Sequence, residues 1–377
     1  MRALLAKADL ARYAGQFVWL ELNFDAPENS AFFDKFGAKA TPTFFIISPQ
    51  NEEVLATQTG AMSLAELTRF LDRGASAALA KRQSPADSAL KRGDALLAQH
   101  PVEAVQAYQE ALRLAPTPWA RRELAVASLT VALQDSNLYQ QCAETAVAEA
   151  PGMKRDSMFA RTVVSGMWCV VSVDPVPWSE AAAANLVPLA EEALTLASTV
   201  RDHRDEIYRI MMYLAMNHNN TADAAKWGNR WLAELDSEKP ASDEERSAID
   251  IARVENIQVY GDPNRILPAL LASERAMPQN YNASLRVAQM ELAAQHYGEA
   301  IAACDRGLAR SPGAAGRTWL LHTKAQALTQ KGETGEANQA LKEALQAAKE
   351  IPNQSSRERN ISMIEKALAK SETGGTK

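Results

Sequence analysis

The chain has 377 residues, with 40 basic and 46 acidic side chains and a formal net charge of −6, the two signs well mixed along its length. That balance excludes the clustered Lys and Arg that nucleic acid or an anionic membrane surface requires, so no nucleic-acid partner is expected. The longest apolar stretch, Thr162 to Val173, is too short to span a bilayer and reads as a buried core helix, so no membrane insertion is expected.

In chain order, Met1 to Ala14 reads as a helix with Leu4, Leu5, Ala8, Ala11 and Ala14 on one face. Phe17 to Asp25 is a strand-like run ending on an acid. Glu28 to Phe36 follows as a short helix closed by Gly37. Thr41-Pro42-Thr43 then enters Phe44–Ile47, a continuously apolar run of the kind buried on both faces of a sheet. Proline is tolerated there, at the first residue of a strand, because no ladder donor is lost. After a turn at Pro49-Gln50-Asn51 come the strand Val54 to Gly60 and the helix Leu64 to Asp72.

The strand ending in Asn23-Phe24-Asp25, then Phe36-Gly37, then Thr41-Pro42-Thr43 entering a strand, and Gly60 before a Leu-rich helix, together resemble the C-terminal two-thirds of a thioredoxin domain. The resemblance implies an α/β thioredoxin-like unit over residues 1–74, with Thr41 and Pro42 as the segment that docks a substrate chain beside the redox site. Its proline is cis in that family. The sequence departs from the family in two ways. No Cys-x-x-Cys precedes the first helix, and the strand that belongs between the Phe17 and Phe44 strands is missing. Met1 to Leu10 is interrupted by Asp9 and is no secretory signal, which makes the chain cytoplasmic as written and periplasmic if a signal lies upstream.

Residues 75–85 read as a joint, and from there the composition turns to Ala, Leu, Glu, Gln and Arg. Ala104-x-x-x-Tyr108-x-x-Ala111-x-x-x-x-Pro116 recurs as Ala300-x-x-x-Cys304-x-x-Gly307-x-x-x-x-Pro312 and as Ala337-x-x-x-Leu341-x-x-Ala344, with Gly93 as a small residue in the preceding helix. Small residues at these positions let paired helices approach closely. The last two copies are offset by 337 − 300 = 37 residues, near the ~34 of a tetratricopeptide repeat, which the spacing resembles. The pattern predicts an all-α, TPR-like helical solenoid over 86–351. It is partial over 120–151 and irregular over 155–278, where helices are read at about 156–171, 179–198, 203–217, 221–235, 243–259 and 263–276. A capping helix is read over 352–370, with Ile361, Ile364 and Leu368 on one side, and residues 371–377 are expected to be a disordered tail.

Cys142, Cys169 and Cys304 are widely spaced, form no Cys-x-x-Cys, and read as separate small apolar residues on packing faces. His100, His203, His218, His296 and His322 are isolated. No phosphate-loop, zinc-protease or nucleophile-elbow motif occurs, so no catalytic residue, metal or cofactor is assigned. The resemblance to tetratricopeptide repeats implies a groove lined by first-helix side chains and a scaffold that binds client proteins or peptides, with Asn282, Gln289, His322 and Gln326 facing the groove. Bacterial fusions of thioredoxin-like and TPR regions, acting as chaperone-like redox adaptors, are what the whole architecture resembles. The alternative is a thiol–disulfide oxidoreductase with its dithiol upstream of Met1, since dithiol chemistry needs an attacking thiolate and a resolving thiol close together. A third reading is a degenerate thioredoxin-like domain kept only for docking. The sequence leaves the oligomeric state open.

Overall fold

The computed structural model describes residues 8–23, 26–38, 42–49, 51–60, 62–79 and 84–374. The chain divides into two compact units, one over Met1–Phe24 and Ala31–Ala224, the other over Asp25–Ser30 and Ala225–Lys377.

The first unit opens with a 3-10 helix over Ala8–Tyr13, where the sequence predicts an α-helix from Met1 to Ala14; residues 1–7 lie outside the described set. Gly15, at φ +75°, stops it after two turns, and pieces this short commonly keep the tighter 3-10 geometry. Phe17–Asn23 forms no strand. Among the described residues the sheet has two strands, β1 (Thr43–Ile47) and β2 (Val54–Thr59), paired antiparallel with Thr43 opposite Thr59 and Ile46 opposite Ala56. With no ladder beside it, the Phe17–Asn23 run leaves Val18 88% and Leu20 75% exposed. The fuller thioredoxin-like sheet expected here is therefore not present among the described residues.

β1 does carry a helix against each face, as its apolar run requires, though of its residues only Ile46 is buried. Phe45 meets Phe32 and Phe36 of α1 (Ser30–Phe36), with ring centroids 6.2 and 6.0 Å away. On the other face Phe44 meets Phe70 of α2 (Leu64–Leu79) at 6.5 Å. α2 extends to Leu79, into the residues 75–85 expected as a joint; residues 80–83 lie outside the described set. Leu10, Tyr13, Leu55, Leu67, Phe70 and Leu71 complete this small core, and the Tyr13 hydroxyl donates to Asp72 Oδ1 at 2.6 Å.

The rest of the first unit is helical: α3 (Pro85–Leu96), α4 (Pro101–Leu114), α5 (Arg122–Asp135), α6 (Tyr139–Glu149), α7 (Ser157–Val171), α8 (Pro177–Thr195) and α9 (Arg201–Asn217). Ser84 caps α3 by accepting from Asp87 N at 3.1 Å, and Pro85 takes the first helical position, where its missing N–H costs nothing. Each helix packs on its successor, and α5 on α7, α6 on α8 and α7 on α9, which is the contact pattern of a stacked helical array. The small residues sit where the spacing puts them. Ala104, Tyr108 and Ala111 are fully buried, and a Cβ at Gly93 would lie 2.5 Å from the Tyr108 ring. α7 is buried almost all round, as the Thr162–Val173 stretch predicts.

Here the sequence reading of Cys142 and Cys169 as separate residues is overturned, while Cys304 is free and buried as read. Cys142 on α6 and Cys169 on α7 form a disulfide, with Cα atoms 6.2 Å apart and both side chains fully buried. The helices come this close because Gly166 faces Ala146, where an added Cβ would stand 2.3 Å from the Ala146 methyl. The two cysteines do belong to different helical pairs, but those pairs are neighbours in the stack.

α10 (Thr221–Ser237) carries the chain into the second unit, made of α11 (Asp243–Val259), α12 (Leu267–Ala276), α13 (Tyr281–Ala293), α14 (Tyr297–Ala309), α15 (Ala314–Gln330), α16 (Thr334–Lys349) and α17 (Gln354–Gly374). Neighbours again pack in sequence, with α11 on α13 and α13 on α15. α17 lays Ile364, fully buried, on the core formed by Leu328, Leu341 and Ala344. It continues to Gly374, past the expected start of a disordered tail; residues 375–377 lie outside the described set.

Ala111 and Ala344 have no exposed surface. Ala111→Leu and Ala344→Leu are each expected to cost about 1–3 kcal/mol through overpacking. Thermal melts at wild-type temperature for both would show that these alanines do not mark packed seams.

Candidate functional site

The second unit holds a cleft of about 480 Å³ between α11 and α13. Helical spacing creates it. On α13, Ala283, Ser284, Val287, Ala288 and Met290 turn inward, which leaves Asn282, Leu285 and Gln289 on the opposite face at i, i+3 and i+7. Asn280 starts the helix by accepting from Asn282 N at 3.0 Å. α11, capped by Ser242 accepting from Glu245 N at 3.2 Å, supplies Ser247, Ile251, Val254 and Gln258 to the facing wall, again at helical intervals.

The cleft is amphipathic. Ile251 is 47% exposed, an apolar side chain left in the open beside Leu285. Arg286, 8% exposed, forms part of the lining and donates from Nη2 to Ser247 Oγ at 3.3 Å, while its Nε has no partner. Burial draws its pKa down, and the charge of Asp250 opposes that. Asp250 is in turn held by Arg253 Nη1 at 3.1 Å.

Asn282 and Gln289, assigned to the groove from the sequence, thus lie together in this cleft. His322 and Gln326 lie on α15, outside the residues that line it. They share a face with Trp319, which is 39% exposed and packs edge-on to the His322 ring at 6.2 Å. Burial lowers the His322 pKa and keeps the imidazole neutral near pH 7. Sequence reasoning missed Arg286, Ile251, Gln258 and Trp319. The signal for Trp319 was available, three residues before His322 on the same face. α11 was harder, because its helical pair lacks the repeat spacing.

Of the expected docking segment, Thr41 lies outside the described residues. Pro42 precedes β1, and its carbonyl accepts from Gly60 N at 2.8 Å. The cysteines lie elsewhere. Cys142 and Cys169 are locked in their buried disulfide, and burial pushes the Cys304 thiol up to about 12, so it holds its proton at neutral pH. Among the described residues no three His, Cys, Asp or Glu side chains are arranged to hold a metal ion, and no helix is long and apolar enough to cross a membrane.

No protein-family model matches the chain, and no curated protein matches it. Among solved structures it is similar to a tetratricopeptide repeat protein from Parabacteroides merdae, at 11% identity and a TM-score of 0.43 over 75% of this chain and 99% of that one. It is also similar to the TPR2AB domain of yeast Sti1, in its complex with pHSP90, at 16% identity and a TM-score of 0.29 over 76% of this chain and 98% of that one.

Proposed function

We propose that this protein is an interaction scaffold whose second unit holds a segment of a client protein in the α11–α13 cleft. The observation that carries this reading is the pairing of two apolar side chains, the exposed Ile251 and the half-buried Leu285, with the amides of Asn282, Gln289 and Gln258 in one cleft. A primary amide both donates and accepts, so it matches the alternating N–H and C=O groups of a peptide backbone. The apolar pair supplies the desolvated anchor that such binding needs. The tetratricopeptide-like spacing supports the same role, and His322, Gln326 and Trp319 extend the binding face along α15.

The buried Cys142–Cys169 disulfide supports an oxidising compartment, such as the periplasm, over the cytoplasm as the place of work, because structural disulfides are rare in reducing cytosol. A redox-adaptor role and chaperone-like handling of clients are consistent with that setting.

The test is selection of binders from a displayed peptide library on the whole chain, followed by titration. Replacing both Asn282 and Gln289 by Ala is expected to weaken a selected peptide about tenfold or more, since each lost hydrogen bond removes roughly 0.5–1.5 kcal/mol. Unchanged affinity in a folded double variant would refute the site.

A further inference from the structure

A second cleft, of about 270 Å³, lies within the first unit, lined from α2, β2, the start of α5 and Met158 of α7. Most charged groups on it are already engaged. Arg69 donates to Asp156 Oδ2 at 3.2 Å and to Ser157 Oγ at 3.0 Å. Arg121 donates to Asp87 Oδ1 at 3.2 Å. Asp72 accepts from Tyr13, and Glu123 Oε1 accepts from Lys154 N at 2.9 Å.

Two are engaged only in part, each with a buried polar atom that has no hydrogen-bond partner, and they have opposite signs. Glu66 is 4% exposed; one oxygen accepts from Ser63 N at 2.7 Å and closes a capping box, while Oε1 has no partner. Arg73 is 9% exposed; it forms a loose ion pair with Asp94, 3.9 Å from Nη2 to Oδ2 and too long for a hydrogen bond, and lies over the Phe70 ring at 5.4 Å, while its Nε has no hydrogen-bond partner. Asp94 Oδ2 likewise accepts no hydrogen bond. Buried polar groups without partners are rare in native proteins, and each points to something that completes it.

The two residues stand seven apart on α2, roughly 10 Å along the helix axis and on nearly the same face. Phe70 lies between them, and Leu124 and Met158 add apolar surface to the lining. The formal charges lining the cleft cancel: Arg69, Arg73 and Arg121 against Glu66, Asp72 and Glu123. A simple anion would meet Glu66 unfavourably, and a simple cation would meet Arg73. The space corresponds to about nine water molecules at ~30 Å³ each, enough for a small organic molecule.

We propose that this cleft binds a small zwitterion whose ammonium and carboxylate are held apart by an apolar body, the ammonium on Glu66 Oε1 and the carboxylate on Arg73. Short peptides with free ends and ω-amino acids share that chemistry.

The test is calorimetric titration of the full chain with L-alanyl-L-leucine, with 6-aminohexanoate, and with N-acetyl-alanyl-leucine amide, which lacks both charges. One or both zwitterions are expected to bind with Kd below ~1 mM, and the capped peptide at least about tenfold more weakly. Tighter binding of the dipeptide would assign a peptide fragment as the source, and tighter binding of 6-aminohexanoate an ω-amino acid. Glu66→Gln, which keeps an acceptor for Ser63 N, and Arg73→Gln are each expected to weaken binding about tenfold or more. Should a variant unfold by circular dichroism, the comparison of charged and capped ligands on the native chain still decides. Failure of both zwitterions to bind at 10-fold above that threshold, or equal binding of the capped peptide, would overturn the proposal and leave water as the partner of Glu66 and Arg73.

Discussion

Replacing Cys142 and Cys169 together by serine is expected to destabilise the first unit by about 3.5 kcal/mol, the loop-closure value for the 27-residue separation. The bond joins two helices that are adjacent in the stack but belong to different pairs, so its loss loosens the seam between pairs. Both sulfurs are fully buried, so serine also brings two hydroxyls into a site built for sulfur, and the loss will not be smaller for that reason. Urea melts of the oxidised native chain and the double variant measure it directly. A midpoint unmoved by the replacement, with the native thiols confirmed as paired, would mean that the bond does not constrain the unfolded chain.

Glu274→Ala is expected to have an effect of similar size in the second unit. The Glu274 carboxylate is 5% exposed and gathers four groups: Arg306 Nε at 3.0 Å and Nη2 at 2.9 Å, Ser284 Oγ at 2.6 Å, and Arg310 Nη2 at 3.4 Å. It ties α12 to α13 and α14. Burial opposes its charge, but the bonds from Arg306 and Ser284 together outweigh that and hold the carboxyl below its ordinary value of 4.5. Removing one partner of a buried ion pair costs about 3–5 kcal/mol, and Arg306, 45% exposed, can turn to water, which puts the expected loss near ~3 kcal/mol. The pH dependence has a definite sign. A carboxyl whose folded pKa is depressed contributes stability that is complete above the unfolded value and lost as pH falls through the folded one. The gap between wild type and Glu274→Ala should therefore narrow below about pH 4.5. A gap that stays constant down to pH 3 would show that packing, not charge, makes the difference.

The helices were legible because local signals determine them. α11 begins and ends where the sequence reading put it, at 243 and 259, because Ser242 caps it and three acids fill its first turn. The seams at Ala104, Ala111, Ala337 and Ala344 were readable for the same reason: small residues at fixed spacing have one economical use between helices. What depends on distant pairing was not legible. Phe17–Asn23 has strand composition, but a strand exists only where a ladder partner lies beside it. The disulfide could not be inferred from a 27-residue separation, because what brings the cysteines together is Gly166 against Ala146. Asn282 and Gln289, read from the sequence, line the α11–α13 cleft because α13 follows the repeat. Its other wall lies on α11, in a pair that does not. The unpartnered atoms of Glu66 and Arg73 carry no sequence signature at all.

The scaffold reading is tested most directly by hydrogen–deuterium exchange on the full chain with and without a library-selected peptide. Binding in the α11–α13 cleft should slow exchange in the peptide fragments covering 247–258 and 280–289, with weaker protection around 319–326 on α15. Fragments covering α14 and α16 should be unchanged. Protection confined to α14 and α16, or none in α11 and α13 at saturating peptide, would contradict it.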